Sequence, residues 1–530
     1  MRLVQFGWSM TVMLLFWGCA NVVPPTGGER DALPPGLLRA VPENGTLFFN
    51  KREIRLDFDE YVKLQNPSNI QFTPALDGKP AFEVRYGTLF IDLGPDSLRT
   101  NTTYTINFGD ALTDLNEGNK LQNFRYVFST GSYLDSLEVS GVVLSAEKRE
   151  PQENILVALY PEDYGDSAIY AKKPFYYTKT NKAGRFALEN LKAGRYVVWV
   201  FKDEDSNLKY NITEEAAFAD EMLVLDTLDA DSLRFLLIKD LRANLRLQER
   251  RSTENGAAKF VFSSAPDSLE ISLLDSLGGE VFVERMQDSV FFYHRHTTAD
   301  SLFFRVAYAN RVDTVRINQR KQQPVTMSQL TLRKNNQPSV LEPLKLTATR
   351  PFSALFDTSA VFWAYDTLTN VKIPFTWKIA GVQLEITPEL IENKRYEIFI
   401  GQGALKDWFG SAVDSFRFTF SSVSPDAYGD LVVEGLDSLP EGITHIDLLS
   451  EGYELIQRMK LANDKKLTFQ KLRPLTYRIR FFADLNDNEQ LDLGSILTRT
   501  QPESLWYLSE TAKLRANWEV SINAAQLIQR

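Results

Sequence analysis

Beyond residue 30, apolar and polar residues alternate with a period of two in short runs, and turn-forming residues interrupt the runs. Glu53–Ile54–Arg55–Leu56–Asp57–Phe58, Tyr104–Thr105–Ile106–Asn107–Phe108 and Phe416–Arg417–Phe418–Thr419–Phe420 show the pattern, as do Lys259–Phe260–Val261–Phe262 and Phe303–Phe304–Arg305–Val306. Successive side chains of a strand point to opposite faces, so alternation buries one face and wets the other. Many such runs between polar turns predict an all-β chain of tandem β-sandwich domains. Few stretches hold a helical period; 213–220 and 509–514 read as short turns of helix.

The pattern repeats within the chain. Leu98 stands six residues before Tyr104, the run Ala111–Leu112–Thr113–Asp114 follows, and Phe124–Arg125–Tyr126–Val127–Phe128–Ser129 closes the unit. Leu390, Tyr396, Ala404–Leu405–Lys406–Asp407 and Phe416–Arg417–Phe418–Thr419–Phe420–Ser421 repeat that order. The first copy is headed by Ala40–Val41–Pro42–Glu43–Asn44–Gly45 and a strand ending in Phe58–Asp59–Glu60. It resembles the bacterial Ig-like domain of the S-layer type, Big_5, over 31–132, and more weakly over 336–422. A second unit follows each. Phe186, Leu191, Tyr196 and Asp203 have the spacing of Leu467, Leu472, Tyr477 and Asp484. The earlier copy adds Val139–Ser140–Gly141–Val142–Val143, Asn181–Lys182–Ala183–Gly184–Arg185–Phe186 and Leu191–Lys192–Ala193–Gly194–Arg195–Tyr196. That pattern is similar to the transthyretin-like fold of carboxypeptidase regulatory domains, which is non-catalytic. The order expected is Ig-like 31–132, transthyretin-like 133–239, an unassigned sandwich 240–335, a second Ig-like domain 336–422 and a second transthyretin-like domain 423–530.

The amino-terminus departs from this pattern. Arg2 precedes an uncharged stretch from Leu3 to Trp17 with a dense apolar core, Val12–Met13–Leu14–Leu15–Phe16–Trp17. It is too short for a spanning helix and fits the hydrophobic region of a secretory signal. Gly18–Cys19 follows and resembles the bacterial lipobox, with Phe16 where Leu is usual. The resemblance implies a signal peptide over 1–18, acylation of Cys19, a Pro/Gly-containing tether over 19–30 and an outer-membrane lipoprotein on either the periplasmic or the surface side. Two or more acyl chains anchor stably where one does not.

Composition narrows the partners. Net charge is −10 and no Lys/Arg cluster of the kind that replaces phosphate counterions is present, so no nucleic-acid partner is expected. Cys19 is the only cysteine. No disulfide forms within one chain, and the cores must hold without one.

Two constellations carry candidate chemistry. Asp203, Asp205, Asn207, Asn211 and Glu214 occupy positions 1, 3, 5, 9 and 12 of one loop, spacing that can turn oxygens toward Ca²⁺. Asp484, Asn486, Asn488 and Asp492 repeat positions 1, 3, 5 and 9, with Ser495 at position 12. Both loops lack the usual Gly at position 6, where Leu208 and Glu489 stand, and a plain Asx-rich turn is the alternative. Triplets of Asp, Ser or Thr, and an apolar residue are in surplus. They resemble the O-glycosylation site of Bacteroidetes exported proteins, which marks Ser97, Ser136, Ser232, Ser268, Ser301, Thr314, Thr367 and Ser438. The alternative is that Asp-Ser opens strands as turn residues. His294 and His296 read as part of a surface strand, and no Gly-x-Ser-x-Gly, phosphate loop or dinucleotide fingerprint appears. No catalytic residue is assigned. The reading is a non-catalytic binding or scaffold lipoprotein with a protein or glycan partner in the envelope. An accessory subunit of an outer-membrane complex and a hydrolase with an unrecognised site are the alternatives.

Overall fold

The computed structural model describes residues 31–529 apart from internal stretches, the longest of which are 319–328, 333–342 and 354–361. The expected all-β class holds. The described strands form pairs of sheets packed face to face around separate apolar cores, and these make five successive sandwiches. In the first, Leu37–Val41, Glu53–Phe58, Thr88–Asp92 and Ala81–Arg85 pair in that order, with Gln71–Thr73, Thr103–Asn107 and Arg125–Ser129 in a second sheet. The alternating inward residues Leu56, Leu89, Ile106 and Phe128 meet in the core. The third is built of Leu247–Ser252, Ala257–Phe262, Ser289–His294 and Val281–Met286 with Leu269–Leu273, Ser301–Tyr308 and Arg311–Asn318. The fourth pairs Leu330–Leu332, Leu344–Ala348, Gln383–Pro388 and Phe375–Ala380 in one sheet and Phe362–Asp366, Arg395–Ile400 and Phe416–Ser421 in the other.

The second and fifth sandwiches share one strand order. Arg185–Leu191, Leu137–Ser145 and Ala230–Leu237 form a three-stranded sheet, as do Lys466–Leu472, Gly429–Glu434 and Glu519–Asn523. In each, the last two strands are parallel. The facing sheets run Tyr176–Lys179, Leu156–Pro161, Gly194–Phe201, Ala216–Phe218 and Leu455–Lys460, His445–Ser450, Thr476–Phe482, Leu505–Leu508. Gly141 of the Ser-Gly-x-Val motif has a structural reason: a Cβ there would stand 2.1 Å from the Leu233 carbonyl of the parallel neighbour. Only glycine lets the two backbones approach this closely.

The repeats recur in hydrogen bonding as well as in spacing. Tyr104 Oη accepts from the Arg99 amide at 2.8 Å, and Tyr396 Oη accepts from the Ile391 amide at 2.8 Å. Tyr196 and Tyr477 donate to the carbonyls of Lys192 and Arg473, each at 2.8 Å. Asp114 and Asp407, both fully buried, take backbone amides of the loops that follow them.

Both expected helical turns are strands instead. Ala216–Phe218 pairs with Trp199–Phe201, and Ala512–Lys513 pairs with Thr476–Tyr477. Each short segment lies beside a sheet edge whose amides and carbonyls need partners, and that demand outweighs weak local propensity. Among the described residues the one α-helix, Ala168–Ala171, lies where no helix was expected.

Neighbouring sandwiches pack through specific contacts. Thr73 Oγ1 donates to the Tyr177 carbonyl at 3.0 Å, and the Arg99 guanidinium lies 4.8 Å over Phe175, which joins the first sandwich to the second. Glu284 of the third lies against Gly381 of the fourth, and Tyr293 meets Phe409 edge-on at 6.3 Å.

Phe128, unexposed between Phe49 and Tyr104, is a test of the first core. Phe128→Ala is expected to cost the first sandwich about 3–5 kcal/mol. The measurement is hydrogen exchange, which should quicken in Thr103–Asn107 and stay unchanged in the third sandwich.

Candidate functional site: two carboxylate loops and an exposed tyrosine pair

The first candidate loop leaves the end of strand Gly194–Phe201. Asp203 accepts the amides of Asn207 and Leu208, both at 3.1 Å. Glu214 closes the loop from the far side by accepting the amides of Glu204 and Asn211, both at 2.9 Å. Asp203, Asp205 and Glu214 each offer one carboxylate oxygen, and these lie within 4.8 Å of one another. Asn207 is turned the other way and donates its side-chain amide to Asp205 at 2.6 Å. Asn211 Oδ1 stands 3.5 Å from the Thr213 amide. Three carboxylates thus converge, while Asn207 serves the loop itself. Leu208 adopts φ 61°, the left-handed conformation for which glycine is usual.

The second loop is built alike. Asp484 accepts the amides of Asn488 and Glu489 at 3.2 and 2.8 Å, and Glu489 has φ 58°. Asn486 and Asn488 both donate to Asp492 Oδ2, at 2.6 and 3.0 Å. Ser495, at position 12, does not close this loop. Glu503 does, accepting the amides of Leu485 and Asp492 at 2.8 and 2.9 Å, the same two places that Glu214 serves. Spacing along the loop does not point to Glu503, which stands eight residues beyond position 12.

The electrostatics of the two loops diverge. Burial pushes the Asp203 carboxyl up, and the nearby Asp205 adds to it against the pull of the loop amides. Glu214 is raised by burial, then by Asp203 and Asp205. Burial also opposes ionisation of Asp484, but the amides of Glu489 and Asn488 and the imidazole of His445, 4.0 Å away, outweigh it and hold the carboxyl below its usual range. Lys460 pairs with Asp487 at 2.9 Å, and Arg458 donates to the Glu489 carbonyl at 2.7 Å. Protein cations therefore compensate the second loop, whereas the three carboxylates of the first repel one another.

A different site lies at the tip of the hairpin Ala81–Arg85 and Thr88–Asp92. Tyr86 is 79 % exposed and has φ 56°, unfavourable for an aromatic residue. Its ring centroid is 5.8 Å from that of Tyr61, itself 55 % exposed, with 48° between the planes. Val62 donates its amide to the Tyr86 carbonyl at 3.2 Å and fixes the tip beside Tyr61. Glu60, next to the pair, is raised by burial and by Asp114, Asp31, Asp59 and Glu117. Sequence reading missed this site. Its one signal was a Tyr-Gly pair between two alternating strands, where hairpins favour Asn-Gly or Asp-Gly.

His294, expected on a surface strand, is instead only 7 % exposed, and burial depresses its basicity. The strand places it at the buried end of Ser289–His294, so an apolar setting keeps the ring neutral. Of the marked hydroxyls, Ser136, Ser232, Ser268, Thr314 and Ser438 are exposed. Ser301 and Thr367 are half-buried, and Thr367 donates to the Arg395 carbonyl at 3.0 Å. Cys19, His296 and Ser97 lie outside the described residues.

The opposite pKa directions give opposite pH responses. Raised carboxyls make ionisation oppose folding. The first loop is therefore most stable below about pH 4, where folded and unfolded states are both protonated, and it loses stability as pH rises through the raised values. The depressed Asp484 contributes stability above its unfolded value, and that is lost as pH falls. Hydrogen exchange corrected for intrinsic rates should show protection of 203–214 falling from acid to neutral pH while that of 484–492 rises.

Residues 31–130 match the family model for the bacterial Ig-like domain, Big_5. No curated protein sequence matches the chain. Among solved structures, the N-terminal part of the bacterial S-layer protein SbsC is similar at 14 % identity over 30 % of this chain and 42 % of that one, with TM-score 0.19. The major pilin subunit BcpA of Bacillus cereus aligns at 6 % identity over 74 % of this chain and 100 % of its own, TM-score 0.14. The Bacteroides ovatus protein SGBP-B, solved with a mixed-linkage heptasaccharide, aligns at 9 % identity over 60 % and 82 %, TM-score 0.19. The chain spans less than half the length of the SbsC fragment. The family match covers the first sandwich, and that part of the chain is a bacterial Ig-like domain.

Proposed function

We propose that this chain is a non-catalytic glycan-binding scaffold of the bacterial cell envelope, tethered to the outer membrane by a lipid on Cys19. The observation that carries the binding role is the Tyr61–Tyr86 pair. Exposed aromatic rings stack on the C–H faces of sugars, and the nearby carboxylates of Glu60 and Glu117 accept hydrogen bonds from hydroxyls. The hairpin tip holds Tyr86 in a left-handed conformation that costs about 1–3 kcal/mol, and strain of this kind clusters at ligand clamps. The tether reading rests on the apolar run before Gly18–Cys19. The second and fifth sandwiches serve as transthyretin-like spacers, and sugars on the exposed hydroxyls Ser136, Ser232, Ser268, Thr314 and Ser438 keep the strand ends wet.

Calcium belongs to the first loop in this reading. Asp203, Asp205 and Glu214 have the hard oxygen ligands and the uncompensated charge that a divalent cation relieves. The second loop has Lys460 and Arg458 as cations nearby and needs an ion less.

Affinity electrophoresis against soluble envelope and plant-type polysaccharides tests the glycan role. At least one polysaccharide should retard the protein, and Tyr86→Ala and Tyr61→Ala should each weaken that retardation about tenfold, roughly 1.4 kcal/mol. Retardation that both variants retain, or a peptide captured in place of any glycan, refutes it. Fractionation tests the tether: the native chain should partition with outer membranes and carry acyl chains by intact mass, and Cys19→Ala should be released.

A further inference from the structure

The second and fifth sandwiches keep one offset over a long stretch. Phe186, Leu191, Tyr196 and Asp203 correspond to Leu467, Leu472, Tyr477 and Asp484. The same offset relates the left-handed residues Ser206 and Leu208 to Asp487 and Glu489, and Asn211 to Asp492. It then breaks. Glu214 closes the first loop three residues after Asn211, whereas Glu503 closes the second eleven residues after Asp492. The fifth sandwich therefore carries eight additional residues, 493–500, inside a loop whose frame is otherwise unchanged.

That insertion lies on the second sandwich. Ser495 and Thr500 exchange amide-to-carbonyl bonds at 2.9 Å and pinch it into a tight hairpin. Gly494, at φ 82°, permits the pinch, since a Cβ there would meet the Thr500 carbonyl at 2.5 Å. Ser495 Oγ and the amides of Ile496 and Leu497 all point to Asp240 Oδ2, at 2.8, 2.8 and 3.4 Å. Ile496 is 6 % exposed and joins the apolar cluster of Trp199, Phe201, Tyr210 and Phe218. Arg499 lies 5.4 Å over the ring of Trp199. Just beyond the insertion, Gln501 donates to the Phe218 carbonyl at 3.1 Å and to Asp220 at 3.0 Å.

Asp240 stands just past strand Ala230–Leu237, where the chain leaves the second sandwich for the third. The insertion thus grips the exit point of the chain from a position 255 residues later, and in the same step covers an apolar sheet face. We propose that 493–500 is an intramolecular clasp. It locks the fifth sandwich onto the second, so the chain closes on itself and the third and fourth sandwiches form an excursion that departs from and returns to one base. Its occupancy of the Trp199 face also keeps that apolar surface from other partners.

The frame itself supplies the test. Deleting 493–500 leaves Asp492 three residues from Glu503, the natural spacing of the first loop, so the fifth sandwich keeps its own closure. In the full chain this deletion should raise the radius of gyration and maximum dimension in small-angle scattering. It should also speed amide exchange in Ala216–Phe218 at least tenfold, with Thr476–Phe482 still protected. The double variant Asp240→Ala/Ile496→Ala leaves the loop whole and should open the molecule in the same way, which covers the case in which the deletion disturbs the fifth sandwich. A scattering profile and Ala216–Phe218 protection that match the native chain in a variant with a folded fifth sandwich overturn the clasp.

Discussion

A buried or half-buried carboxylate that accepts two or three backbone amides is the interaction on which the loops of this protein depend. Asp114 and Asp407 do this in the first and fourth sandwiches, and Asp203, Glu214, Asp484 and Glu503 do it in the second and fifth. A loop at the end of a sandwich leaves amides without ladder partners, and leaving them unpaired costs more than ordering one side chain. At Asp114 and Asp484, whose carboxyls the amides hold below the usual range, charge-assisted bonds about twice as strong as neutral ones suit a chain that has a single cysteine and no disulfide to pin its loops. The tyrosines that bond to backbone four or five residues upstream do the same service at the strand entries.

The same frame takes different sheet faces. Leu156 and Ala158 pair with Phe201 and Trp199 in the second sandwich, and His445 and Asp447 pair with Phe482 and Arg480 in the fifth. The apolar version is a docking face, and Ile496 occupies it. The polar version buries Asp447 completely and compensates it with both Arg458 and Arg480, at 2.6 and 2.7 Å. A buried charge is tolerated only when its hydrogen bonds are complete, and here two guanidinium groups complete them. One repeat thus presents a surface that binds its sibling, and the sibling presents one that needs nothing further.

Charge compensation separates the loops in the same way. His445 sits beside the second loop, whereas the buried Leu156 takes its register place in the second sandwich, and Lys460 and Lys179 hold matching places on the edge strands. Closely matched backbone geometry therefore produces carboxyls shifted in opposite directions. Part of the difference lies in the loops, where Asp205 raises Asp203 and the uncharged Asn486 holds the same position beside Asp484. The rest comes from His445 on a neighbouring strand, which lowers Asp484.

Residue order alone was enough for the all-β class, the strands at 53–58 and 416–420, and the pairing of repeats through Tyr104 with Tyr396 and Tyr196 with Tyr477, because alternation and spacing are local and survive without knowledge of contacts. It also placed Asp203, Asp205 and Glu214 in one loop, since ligand spacing along a turn is local too. Three-dimensional packing was needed to see that Glu503 takes the part of Glu214, that Tyr61 meets Tyr86 across a turn, that His294 is buried, and that 493–500 seats on Asp240 and Trp199. The cause is common to all four. Each depends on atoms brought together from distant positions, or on which face of a strand is covered, and neither quantity is written in the order of residues around the site.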